Sequence, residues 1–126
     1  MPLEQATILL VEEEPTLMEI TSFRLELLGH QVVRYSTADG SMNWLSEHLP
    51  DLITVGNVAE MESCEFLNLL SNDARTSEVP IVFLSASTDL DEVQRAYNAG
   101  ADEFLVTPYD PLVLEKKVEE LLRVSR

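Results

Sequence analysis

The chain has 126 residues, 45% of them apolar, with 23 Asp plus Glu against 8 Lys plus Arg and a formal charge of −15. That suits one domain with a real core and argues against wholesale disorder. The charge repels phosphate backbones and anionic lipid, which excludes direct nucleic-acid contact through a basic patch.

No run approaches the roughly 18 apolar residues of a membrane span. The start, Met1-Pro2-Leu3-Glu4, has neither the basic nor the apolar part of a secretory leader. The single cysteine, Cys64, allows no internal disulfide and no zinc site, which fits a reducing cytoplasm. There is no repeat and no Pro/Ser-rich linker, so residues 1–126 read as one domain with its core from about 7 to 122.

Residues 7–11 form a continuous apolar run that stops at Glu12-Glu13-Glu14-Pro15. A run without alternation predicts a strand buried on both faces, and Pro15 suits the first turn of a following helix. In that helix Leu17, Ile20, Thr21, Leu25 and Leu28 define an inward face, and Gly29 ends it. Residues 31–36 predict an edge-like strand, and 41–49 a helix in which Trp44 is a core residue and which Pro50 stops. Residues 52–55 predict a third strand and 62–70 a helix, with Cys64 in the loop or first turn before it. Residues 80–84 predict a fourth strand, 89–99 a helix closed by Gly100, and 103–106 a fifth strand. Asp110-Pro111 opens the last helix, whose stripe is Leu114, Val118, Leu121 and Leu122.

Five strand–helix units predict an α/β fold, a doubly wound five-stranded parallel sheet covered on both faces. In such sheets sites lie beyond the carboxyl ends of the strands. Those ends are Glu12-Glu13, Gly56, Ser85 and Thr107.

At these places the chain resembles the receiver domain of two-component response regulators. The matching pieces are residues 8–15 (Ile-Leu-Leu-Val-Glu-Glu-Glu-Pro), 50–56 (Pro-Asp-Leu-Ile-Thr-Val-Gly), 79–86 (Val-Pro-Ile-Val-Phe-Leu-Ser-Ala) and 100–108 (Gly-Ala-Asp-Glu-Phe-Leu-Val-Thr-Pro). The resemblance spans nearly the whole chain and implies the (βα)5 flavodoxin-like receiver fold. It also implies five functional groups. An aspartate ending the third strand takes phosphoryl from a histidine kinase. Two acidic residues after the first strand hold Mg²⁺ with it, and a Ser or Thr and a Lys contact the phosphoryl oxygens.

Here Gly56 holds the acceptor position and Thr107 the Lys position, while Glu12 and Glu13 keep the acidic pair in longer form and Ser85 keeps the hydroxyl. Glycine has no nucleophile. Asp51 opens the third strand and, at about 3.3 Å per residue, lies roughly 17 Å from its other end. The expected function is therefore a pseudo-receiver that takes no phosphoryl, binds no cofactor and acts by binding a protein partner or by dimerising. Glu12 and Glu13 remain candidates for a residual metal site, against an acidic turn favoured by a helix dipole. The resemblance also implies a cis Thr107–Pro108 bond and gives Phe104 the place of the family's switch aromatic; a packing role is the alternative. Phe23 and Leu27, one turn apart at the edge of the first helix's stripe, are candidates for a partner-binding edge; the resemblance makes the fourth and fifth helices and the fifth strand, with Phe104 on it, the competing location. The rival readings are a receiver phosphorylated on Ser63 or Ser85, and a small-molecule sensor whose pocket is opened by Gly56.

Overall fold

The computed structural model describes residues 5–125, so the leader reading at residues 1–4 lies outside it. Strands β1 (Thr7–Val11), β2 (Gln31–Tyr35), β3 (Leu52–Val55), β4 (Ile81–Ser85) and β5 (Glu103–Val106) alternate with helices α1 (Pro15–Leu27), α2 (Ala38–Leu45), α3 (Ser63–Asn72), α4 (Leu90–Ala99) and α5 (Pro111–Ser125). The strands make one parallel sheet in the order β2-β1-β3-β4-β5. The order reverses between β1 and β3, the switch point at which a doubly wound sheet opens a crevice.

Both faces of the sheet are covered, which explains the apolar runs of β1 and β4 and the full burial of β3. One core joins Leu9, Val11, Ile53, Val55, Ile81 and Phe83 to α2, α3 and α4 through residues such as Leu45, Phe66, Leu70 and Ala96. The other joins Ile8, Leu52, Val82, Leu84 and Leu105 to α1 and α5 through Leu25, Leu114, Val118 and Leu122. Leu121 is half-buried at the rim of that second core.

Local chemistry sets the helix ends. The Glu14 carboxylate accepts from the backbone N–H groups of Thr16 and Leu17 at 3.1 and 2.8 Å, with Pro15 next to it at the start of α1. Gly29, at φ +93°, takes the left-handed turn just past the C-cap of α1. Asp110 opens α5, its Oδ1 accepting from Leu112 N–H at 2.9 Å. The Thr107–Pro108 bond is cis.

Several expectations are corrected. Helix α2 spans Ala38–Leu45 and not residues 41–49. Thr37 starts it early, its Oγ1 accepting from Gly40 N–H at 2.9 Å, and the Arg75 guanidinium donates to the Leu45 carbonyl at its far end. Leu49 is left exposed beyond the helix. Trp44 is half-buried, resting against the core while its ring stacks on His48 with centroids 4.7 Å apart. Helix α3 begins after Glu62, which caps it by accepting from Glu65 N–H, and runs on to Asn72. Ser85 belongs to β4, Pro80 precedes the strand, and Asp89 is the cap of α4.

On α1, Ile20 faces outward and is 46% exposed. The side chains turned in are Thr21, Ser22 and Leu25. The two hydroxyls lie inside at little cost because both are bonded, Thr21 with the Tyr109 hydroxyl at 2.6 Å and Ser22 to the Glu19 carbonyl at 3.2 Å.

Candidate functional site

Parallel pairing brings the carboxyl ends of four strands to one edge. Val11 is level with Val55, Val55 with Phe83, and Ser85 with Val106. The next residues along the first, third and fifth strands are Glu12, Gly56 and Thr107, so the residues singled out in the sequence gather here with Ser85.

Glu12 and Glu13 part company, as neighbours on extended chain do. Glu13 is exposed. Glu12 is 1% exposed. Its Oε2 accepts from Glu14 N–H at 3.0 Å, Asn57 N–H at 3.2 Å and the Asn57 side-chain amide at 3.0 Å. Its Oε1 is buried with no hydrogen-bond partner. That oxygen lies over Gly56: a Cβ built on Gly56 would stand 2.8 Å from the Glu12 carboxyl carbon and closer still to Oε1. Among the described residues the glycines with positive φ are Gly29 and Gly100. The space at position 56 is thus taken by the end of the Glu12 side chain, and the backbone there does not demand a glycine. The expectation that Gly56 opens a pocket is corrected, because Glu12 fills the space.

In front of this plug is a pocket of ≈ 290 Å³ between the β3–α3 loop, the first turns of α3 and α4, and the ends of β4 and β5. Glu13, Asn57 and Ser85 line it, over Phe83 and Phe104. The two rings pack edge to face with centroids 5.6 Å apart, so Phe104 is a packing aromatic facing the α3–α4 side of the sheet. Thr107 is absent from the lining; its N–H donates to the Ser85 carbonyl at 2.9 Å.

Ser63 donates to the Gly56 carbonyl at 3.1 Å and closes the β3–α3 loop, in which Glu60 adopts φ +68°. The Ser85 hydroxyl accepts from Ser87 N–H at 3.2 Å. Neither serine has a histidine beside it. His30 accepts from Ala6 N–H just before β1, and His48 lies on Trp44 before β3, so both sit at the opposite edge of the sheet. Asp51 is at that edge too, accepting from Thr7 N–H at 2.8 Å. Cys64, in the first turn of α3, has its thiol pushed up in pKa by burial and then by Glu62, which suppresses the reactive thiolate.

A Mg²⁺ ion needs several free oxygen donors in octahedral array. Three N–H groups already hold Glu12 Oε2, Gly56 offers no carboxylate, and the described residues contain no group of three or more His, Cys, Asp or Glu able to hold a metal. The donor set does not fit that ion.

The family model described as the response regulator receiver domain matches residues 8–119. The chain belongs to the response-regulator receiver family. This receiver is 32% identical over 117 residues to the phosphate regulon transcriptional regulatory protein PhoB of Klebsiella pneumoniae, covering 92% of this chain and 51% of that protein. It is 34% identical over 121 residues to the response regulator Rre1 of Synechocystis, covering 94% and 52%. The chain thus spans about half the length of the curated relatives it matches. A receiver domain of a histidine kinase from Syntrophus aciditrophicus superposes with TM-score 0.86 at 29% identity, covering 94% of this chain and 90% of that one. The chemotaxis response regulator CheY4 of Vibrio cholerae does so with TM-score 0.86 at 22% identity, covering 94% and 99%, a likeness of fold.

Asn57, Glu92 and Arg95 escaped the sequence reading although all three line the pocket. Asn57 was findable, since it directly follows Gly56 at a strand end. Glu92 and Arg95 were not, because their approach to Ser85 depends on how α4 lies against α3.

Proposed function

We propose that this receiver is a signalling module that takes no phosphoryl at the family's acceptor position and acts through protein contacts in the cytoplasm. The observation that carries this reading is the Glu12 carboxylate over Gly56. By the resemblance, position 56 supplies the nucleophilic aspartate. Here it supplies no side chain, and the nearest carboxylate is buried and held by backbone and amide N–H groups. Thr107 adds no cation to offset charge on a transferring group. Phosphoryl on Ser63 or Ser85 is disfavoured, since a neutral hydroxyl must lose its proton, Ser63 already donates its own to the Gly56 carbonyl, and neither histidine is near.

Ile20, Phe23 and Leu27 support the protein-contact half of the proposal. They stand three and four residues apart on the outer face of α1 and are 46%, 59% and 60% exposed. A helix stripe of this width suits a partner's apolar face. Ile20, expected inside, thus joins the partner edge expected at Phe23 and Leu27. The relatives' names include a transcriptional regulator. With a charge of −15, any such output here belongs to a partner or to further chain and not to this domain.

The test is intact mass after incubation with Mg²⁺ and a small phosphodonor such as acetyl phosphate. No gain of a phosphoryl group is expected. A stoichiometric gain overturns the proposal, and mapping it to Ser63 or Ser85 establishes the rival.

A further inference from the structure

Helix α1 is unevenly anchored. The side chains it buries, Thr21, Ser22 and Leu25, all lie beyond Ile20. The ties that hold it to the β5–α5 loop and to α5, Thr21 with Tyr109 and Arg24 with Glu115, lie there too. Residues 15–20 are exposed or half-buried throughout. Their hold on the fold comes from the residues before the helix. Glu14 caps Thr16 and Leu17 with its carboxylate, and its carbonyl accepts from Met18 N–H at 2.9 Å. Glu14 is in turn fixed by its own N–H, which donates to Glu12 Oε2 at 3.0 Å.

The far end of this tie is the β3–α3 loop. Asn57 gives Glu12 Oε2 two donors, and its carbonyl accepts from Glu13 N–H at 2.6 Å. Gly56 leaves the space that the carboxylate fills. Further along the same loop Glu60 stands at φ +68°, a conformation costly for any residue with a side chain. A loop that stores strain is thus bonded, through one buried carboxylate, to the start of a helix that has little else to hold it.

We propose that Glu12 is a positioning residue that couples the β3–α3 loop to the outer face of α1. Seated over Gly56, it orders residues 14–20, Ile20 among them. A displacement of the loop that unseats it frees that half of the face, while Phe23 and Leu27 stay fixed on either side of the buried Leu25. Seated and unseated Glu12 are the two states that both ends of the tie bias. The regulatory consequence rests on the reading of α1 as the contact face. The coupling itself does not, so its test uses no partner and its failure is distinct from the failure of that reading.

The experiment is amide hydrogen exchange of the isotope-labelled full chain, read by NMR under native conditions, with Met18, Glu19 and Ile20 compared to Leu25 in the same helix. Gly56→Ala places a methyl group in the seat of the Glu12 carboxylate, at the end of β3. Exchange at Met18, Glu19 and Ile20 should rise about tenfold relative to Leu25, the size of one lost hydrogen bond to a charged group. Asn57→Ala, altered at an exposed position, removes one donor and should move the same amides in the same direction. Glu12→Ala should reproduce the pattern, and adding Gly56→Ala to it should change those amides no further. Glu12→Gln, which keeps an oxygen for Glu14 N–H, should restore protection. Thr37→Ala, which weakens the cap of α2, should leave the ratio as in the parent. The proposal is overturned if Gly56→Ala and Asn57→Ala leave the ratio unchanged, if Glu12→Gln exchanges as fast as Glu12→Ala, or if Thr37→Ala gives the same pattern.

Discussion

Placing a methyl group on Gly56 is the sharpest perturbation this fold offers. In Gly56→Ala the new Cβ would sit 2.8 Å from the Glu12 carboxyl carbon and closer to its Oε1, so the Glu12 side chain must leave its seat. It then gives up three hydrogen bonds, from Glu14 N–H, Asn57 N–H and the Asn57 amide. Hydrogen bonds to charged groups contribute about 1.5–3 kcal/mol each, but the displaced carboxylate regains hydration, and water can reach the freed donors on Asn57. Replacing glycine also lowers the entropy of the unfolded chain, worth about 0.4–1 kcal/mol in the opposite sense. The net expected loss is about 2–3 kcal/mol, or roughly 6–15 °C in melting temperature for a domain of this size. Gly56→Asp adds repulsion between two carboxylates, about 3 kcal/mol at 5 Å and an effective dielectric of 20.

The decisive comparison is a double-mutant cycle with Glu12→Ala, read by urea denaturation using Trp44 fluorescence. Removing the Glu12 side chain first should make Gly56→Ala nearly neutral, leaving a coupling of about 2 kcal/mol between two positions 44 residues apart in sequence. If Gly56→Ala melts no lower than the parent, or costs the same in both backgrounds, Glu12 does not occupy that seat and the reasoning fails.

Three further outcomes follow from the same structure. Phe23→Glu/Leu27→Glu on the outer face of α1 should change stability by no more than about 1 kcal/mol and abolish capture of a cognate partner or self-association, checked by urea melts and by sedimentation; a large loss of stability would mean the stripe is structural. Thr37→Ala removes the cap of α2 and should cost about 1 kcal/mol by urea denaturation, with no change in the amide shifts of Ser63 and Ser85. The carboxylate of Asp102 accepts from Ile81 N–H at 2.7 Å, yet its pKa is raised above the ordinary 3.8, chiefly by burial and further by Glu103. A raised folded-state value means its contribution is present below the unfolded pKa and is lost as pH rises through the folded one. Asp102→Asn keeps an oxygen for Ile81, so the variant should gain on the parent from acid to neutral pH in paired urea midpoints; a relative loss at neutral pH would reverse the sign.

The order of elements was legible because each carries its own punctuation. Buried runs such as 8–11 and 81–84 have no polar residue to spare for a solvent face, and Pro15, Gly29 and Pro111 mark helix ends by their backbone chemistry. Helix α2 was misplaced because a threonine cap at Thr37 and a guanidinium from a distant loop, Arg75, fix its ends, and the second of these is a tertiary contact. The outward turn of Ile20 was hidden because the apolar residues of α1 are spread round the helix among Glu19, Arg24 and Glu26, so their spacing could not say which arc meets the sheet.

The candidate site divides the same way. Sequence alone determined that position 56 has no nucleophile and position 107 no cation, because those are facts of composition at a strand end. It also determined that the edge is acidic. Only the tertiary structure decided where that acid goes. A glutamate is one methylene longer than an aspartate, and in the packed sheet Glu12 uses that reach to lie over Gly56, a contact set by the parallel register of β1 and β3.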